Sequence, residues 1–123
     1  TLQGSLLGTG FPFRDKKDWL EVYLDMFVDF TKIVGAIRRP GSAALDLAYV
    51  ASGRYDGFWE FGLKPWDVAA GALLIQEAGG IVQNIIPGTD PVESGSLVCG
   101  TPKVFDSMQE IIKRYDERLK AFA

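Results

Sequence analysis

The strongest constraint on this chain is its punctuation: short β-prone runs alternate with helical runs, and glycine or proline stands at most of the junctions. Leu2–Thr9 is short, β-prone and broken by glycine, and it predicts a strand. From Asp18 to Val34, Trp19, Val22, Tyr23, Met26, Phe27, Phe30, Ile33 and Val34 recur at helical spacing, which predicts an amphipathic helix. Val34–Arg39 predicts a second strand, stopped by Pro40-Gly41. Ser42 suits the cap of a helix running to about Ser52 and ended by Gly53. Tyr55–Phe61 alternates as a strand does, and Pro65 suits the first position of a helix that runs to Ala78 and stops at Gly79-Gly80. Ile81–Ile86 and Ser96–Gly100 predict two further strands around a Gly/Pro/Asp-rich loop. A last helix starts near Pro102, with Val104, Met108, Ile111, Ile112, Tyr115, Leu119 and Phe122 in one apolar stripe. The order β-α-β-α-β-α-β-β-α predicts a single α/β domain in which helices cover a layered, mixed β-sheet. The order of strands in that sheet does not follow from the pattern.

A chain of 123 residues is long enough to bury one core. Sixteen acidic and 13 basic side chains are intermingled, for a net charge of −3. That balance argues against a nucleic-acid arm or a polybasic membrane patch, and the apolar runs are too short to span a bilayer. There is no histidine, which removes Ser-His-Asp and Cys-His catalysis and every His-based metal site. The one cysteine, Cys99, lies in the apolar run Leu97-Val98-Cys99 and reads as a buried, inert thiol. Any chemistry must use carboxylates, hydroxyls, backbone amides or a hard cation held by oxygens. The chain opens at Thr1 directly into a strand-like segment, as a piece of a longer protein would.

Ligands of open α/β sheets gather where strands end and helices begin, and two such junctions stand out. The first is Arg38-Arg39-Pro40-Gly41-Ser42-Ala43-Ala44, where free N–H groups and small residues could receive an anion or oxygen ligand, or simply start a capped helix. The second runs from Glu60 to Asp67 and puts one carboxylate at a strand end and another in a first helical turn. On spacing alone Asp67 is best explained by the helix dipole, worth ~0.3–1 kcal/mol; the functional reading is a ligand of a hard cation such as Mg²⁺. One Asp is not a metal site. Gly71, inside the helix that follows, costs about 0.5–1 kcal/mol relative to Ala, so close packing is expected there.

Trp66-Asp67-Val68-Ala69-Ala70-Gly71, followed by Glu77-Ala78-Gly79-Gly80, resembles the C-terminal signature of the inositol monophosphatase family. Gly41-Ser42-Ala43-Ala44, Asp56-Gly57-Phe58-Trp59-Glu60 and Gly8-Thr9-Gly10-Phe11-Pro12-Phe13 match as well and in order, nearest to the bacterial SuhB-type branch. The resemblance implies the C-terminal subdomain of that fold, with the N-terminal metal-binding subdomain outside this chain. It also implies Mg²⁺-dependent hydrolysis of inositol monophosphate by a cytoplasmic homodimer. Asp67 would then be a metal ligand, Glu60 would hydrogen-bond an inositol hydroxyl, and Gly41, Ser42 and Ala43 would line the substrate site. Relatives acting on fructose bisphosphate or phosphoadenosine nucleotides are alternatives. So is a non-catalytic interaction module, since SuhB-type proteins are also associated with the transcription machinery.

Other signals read as structural. Asp90-Pro91-Val92-Glu93-Ser94-Gly95 lacks the Asp-Gly-Thr of the family's upstream metal motif and reads as a turn. Asp18, Glu21, Asp25 and Asp29 share a helical face expected to be solvated, and Arg38-Arg39 are expected to be paired or exposed. Asp46 is expected to be a partly buried structural carboxylate, and Trp19, Trp59 and Trp66 core or interface residues.

Overall fold

The computed structural model describes residues 2–10, 17–39 and 41–122. Phe11-Pro12-Phe13, Pro40 and the side chain of Asp18 lie outside the described residues. The elements are β1 (Leu6–Thr9), α1 (Lys17–Thr31), β2 (Ala36–Arg38), α2 (Ala43–Ala51), β3 (Gly57–Glu60), α3 (Pro65–Glu77), β4 (Ile81–Asn84), α4 (Pro91–Ser94), β5 (Leu97–Gly100), α5 (Pro102–Lys113) and α6 (Asp116–Leu119), with a closing 3₁₀ turn at Lys120–Phe122. The helices at Pro65 and Pro102 begin where the proline pattern predicts, because proline costs nothing at a position whose N–H has no helical partner.

The strands form one mixed sheet in the order β2-β1-β3-β5-β4. β1 pairs in parallel with β2 and β3, while β5 runs antiparallel between β3 and β4. Alternation along the strands sends side chains to two cores. Leu7, Trp59 and Val98 face α1 and α5, where Tyr23, Met26, Phe30, Met108 and Ile111 are buried. Phe58, Leu97 and Cys99 face α2 and α3, with Leu47, Val50, Val68 and Ile75. The result is three layers, with the sheet in the middle. On the first face the Phe30 and Trp59 rings stack with centroids 4.2 Å apart, and each buries an area worth roughly 2–3 kcal/mol. Cys99 is fully buried, which pushes its thiol pKa up and keeps it inert. Among the described residues no helix is long and apolar enough to cross a membrane.

Several expectations need correction. All five strands are shorter than their apolar runs, since pairing stops where a neighbouring strand ends. The last helical stripe is two helices: the chain turns at Tyr115, whose hydroxyl bonds the Asp25 carbonyl at 3.2 Å and also the Asp29 carboxylate. The turn lets Leu119 bury. The acidic face of α1 is therefore not merely solvated: Asp25 accepts from Arg118 at 2.7 Å and Asp29 faces Arg114 at 4.0 Å. The Asp90 segment is a one-turn helix, capped by the Asp90 carboxylate on the Val92 and Glu93 N–H groups. Trp66 is 77% exposed and so does not belong to this chain's core. It lies off the packed face of α3, on a stripe with the exposed Leu73 and Leu74.

The packed face of α3 explains Gly71. A Cβ there would meet Leu47 Cβ at 2.5 Å and Cδ1 at 2.7 Å. Because Cβ cannot swing away, Gly71→Ala is expected to destabilise the chain by about 1–3 kcal/mol, outweighing the ~0.5–1 kcal/mol that alanine gains in helix propensity. Urea unfolding of both chains tests this, and a more stable Gly71→Ala chain would refute it.

Candidate active site

The residues singled out by sequence lie along one edge of the sheet. β1, β2 and β3 are parallel, so their C-terminal ends share an edge, and α2 and α3 both start there. Glu60 closes β3, Asp67 sits in the first turn of α3, and Gly41, Ser42 and Ala43 enter α2. The chain leaves β1 for the α1 face and β3 for the α3 face. The crevice beyond β1 and β3 is therefore a topological switch point, where open α/β sheets take ligands.

The helix entries are ordinary in construction. Ser42 is extended, and its Oγ accepts the Leu45 N–H at 3.4 Å, while Gly41 is exposed with φ +90°. Asp67 is half-buried, and its Oδ2 accepts the Lys64 N–H at 3.1 Å. The same carboxylate thus satisfies the start of α3 and faces the crevice edge; the first-turn N–H groups of both helices are left without intrahelical partners, as in any helix.

The electrostatics of this edge are less ordinary. Burial first, then the charge of Asp46, pushes the Glu60 carboxyl up to about 8; Arg39 pulls it down, and Asp67 adds to the rise. Asp46 is 1% exposed, and its Oδ1 has no hydrogen-bond partner among the described residues. Burial pushes its pKa up to about 6. The charges of Asp46 and Asp67 thus both act on Glu60, with Arg39 as the cation among the groups that do so. Asp46 is more deeply buried than its helical pattern implies.

Behind Glu60, Thr9 Oγ1 donates to the Trp59 carbonyl at 2.8 Å and lies 2.9 Å from the Tyr23 hydroxyl. Since the Thr9 proton is used on Trp59, the Tyr23 hydroxyl donates to Thr9. Burial raises the Tyr23 pKa to about 12, which keeps that proton in place. Neither residue, nor Gly10 beside them, is marked by the sequence pattern; Tyr23 simply continues an apolar stripe. Their visible sign is the run Gly8-Thr9-Gly10 at a strand end, which opens one of the motifs that carry the family resemblance.

Carboxylate donors of this kind fit a share in a hard-cation site. Among the described residues, however, no group of three or more His, Cys, Asp or Glu could hold a metal ion. The donors present fit part of a site and not a whole one.

Residues 1–118 match the model of the inositol monophosphatase family, a family of phosphatase-type hydrolases, and the chain belongs to it. It is 54% identical over 114 residues to the Nus factor SuhB of Pseudomonas aeruginosa, an alignment covering 92% of this chain and 42% of that protein. It is 49% identical over 107 residues to the Nus factor SuhB of Escherichia coli K12, covering 87% and 40%. Among solved structures, the SuhB protein of Bartonella henselae superposes with a TM-score of 0.82 at 38% identity, over 91% of this chain and 42% of that one. The inositol monophosphatase of Anabaena superposes with a TM-score of 0.75 at 35% identity, over 92% and 44%. The chain thus spans less than half the length of these relatives.

The buried Asp46 carries a measurable consequence. Its pKa is raised on folding, so stability is greatest while the group is protonated. The contribution of Asp46 falls as pH rises from the ordinary 3.8 to about 6 and is flat above. Asp46→Asn cannot ionise, and is expected to be more stable than the parent by about 1–3 kcal/mol at pH 7. That gain should shrink towards zero near pH 4. Urea unfolding of both proteins across pH 4–7 checks this, and a difference independent of pH would contradict it.

Proposed function

We propose that this chain forms the C-terminal part of a Mg²⁺-dependent phosphomonoesterase acting on inositol monophosphate. The observation that carries the reading is the meeting of Glu60, Asp67 and two helix N-termini at the switch-point edge of the sheet. On this reading Asp67 is a metal ligand, oriented by the Lys64 N–H that its Oδ2 accepts. Glu60 accepts a hydrogen bond from a substrate hydroxyl. Gly41, Ser42 and Ala43 line the substrate site, where small side chains let the ligand reach backbone N–H groups. When bound, Mg²⁺ neutralises phosphoryl charge and activates water. The remaining ligands would come from a part of the protein outside this chain, an N-terminal metal-binding subdomain. A cytoplasmic homodimer agrees with the reading.

Within the same class, fructose bisphosphate and phosphoadenosine nucleotides are competing substrates. The description of one solved relative as an inositol monophosphatase favours inositol monophosphate. A second reading rests on a different observation. Relatives at 54% and 49% identity carry the name Nus factor, which supports a role with the transcription machinery that needs no catalysis.

Two measurements separate these readings. In the whole protein, Asp67→Asn is expected to lower Mg²⁺-dependent inositol monophosphate hydrolysis by about 100-fold or more, ligand loss exceeding the 10–100-fold typical of outer-shell changes. Unchanged turnover would sink the ligand role, and an intact cellular function despite lost turnover would favour the second reading. The 123-residue chain by itself is expected to release no phosphate from inositol monophosphate with Mg²⁺. Turnover by the pure chain would show that the site is complete without further residues.

A further inference from the structure

We propose that Gly10 is a positioning residue for the candidate substrate acceptor: the side chain it lacks fixes where the Glu60 carboxylate sits. The proposal rests on the reading of Glu60 as the group that accepts a substrate hydroxyl. β1 and β3 are in register to Thr9↔Trp59, and Gly10 and Glu60 come one residue further along each chain. A Cβ on Gly10 would lie 2.1 Å from Glu60 Oε1, 2.5 Å from Cδ and 2.9 Å from Oε2. The whole carboxyl group therefore occupies the volume that any other residue at position 10 would fill.

The usual reason for a glycine does not apply here. Gly10 is not among the glycines with positive φ, so its backbone conformation is open to alanine. What requires glycine is the Glu60 side chain. Nor can the strands part to make room, because Thr9 Oγ1 donates to the Trp59 carbonyl at 2.8 Å, and both Thr9 and Trp59 are fully buried. An added methyl group must instead push the end of a flexible, half-buried side chain by about 1 Å, a move that the Glu60 rotamers allow at little cost to the fold. A displacement of about 1 Å at a binding group is costly for function.

Gly10 thus selects for a substrate whose hydroxyl reaches a carboxylate lying flat against the β1 end. Gly10→Ala keeps the acceptor and moves it.

The test uses the whole protein with Gly10→Ala, Glu60→Ala and the double substitution. Each single variant is expected to raise KM for inositol monophosphate by about 10–100-fold, the range for one hydrogen bond to a charged group, with a much smaller change in kcat. The double variant should be no worse than Glu60→Ala, because a residue acting only through Glu60 has nothing left to act on. A crystal structure of the Gly10→Ala protein is expected to show the Glu60 carboxylate shifted by about 1 Å with the β1 and β3 backbones in place. If Glu60→Ala leaves KM unchanged, the substrate role of Glu60 is wrong. If Glu60→Ala raises KM and Gly10→Ala does not, the positioning role is wrong. Additive effects in the double variant, an unmoved carboxylate, or misfolding of Gly10→Ala that Glu60→Ala does not relieve would each overturn it too.

Discussion

The close approach of α2 and α3 at Gly71 and Leu47 is the contact on which the rest of the molecule depends. With a side chain at position 71 the helices would stand further apart, and their first turns with them. Because both helices return from the C-terminal edge of parallel strands, bringing their bodies together also brings their N-termini together. The positive ends of two helix dipoles then share the edge occupied by Glu60 and Asp67. A packing contact nearly two turns into α3 thus sets the electrical character of the candidate site.

That character comes at a cost in stability that the rest of the fold has to offset. Asp46 and Glu60 are both harder to ionise than free carboxylates, Asp46 through burial and Glu60 through burial joined by the negative charge of Asp46 and Asp67. A domain built for stability alone would place apolar groups there, as it does on the α1 face, where Tyr23, Phe30 and Trp59 pack ring on ring. Raised carboxylates gathered at one strand edge are the mark of a candidate site.

The class of fold was legible in the sequence because local chemistry writes it. Pro65 and Pro102 mark helix starts, Ser42 a cap, and alternating Phe58 and Trp59 a strand with two buried faces. What was not legible depends on contacts between residues far apart in the chain. The strand order rests on pairings between strands distant in sequence, and the turn at Tyr115 and the ties from Asp25 and Asp29 to the C-terminal segment join positions some 90 residues apart. For Trp66 the sequence leaves core and interface open, because an aromatic on a helix looks the same whether its face is covered or bare, and the structure takes it out of this chain's core. Around the site, Glu60 and Asp67 could be placed at element ends from spacing, while Gly10 could not, since its importance lies wholly in a side chain on another strand.

The sheet order has a temporal side as well. β5 lies between β3 and β4, yet it is the last strand to be synthesised. Until it emerges, β4 has no strand to pair with, and β3 offers an open edge next to the residues of the candidate site. β1, β2 and β3 can assemble as they are made, whereas the other half of the sheet must wait and then close in one step, as a wedge driven between two waiting strands. The chain therefore carries its aggregation-prone stage in the interval between the synthesis of β3 and that of β5, when Phe58 and its neighbours are paired on one side only.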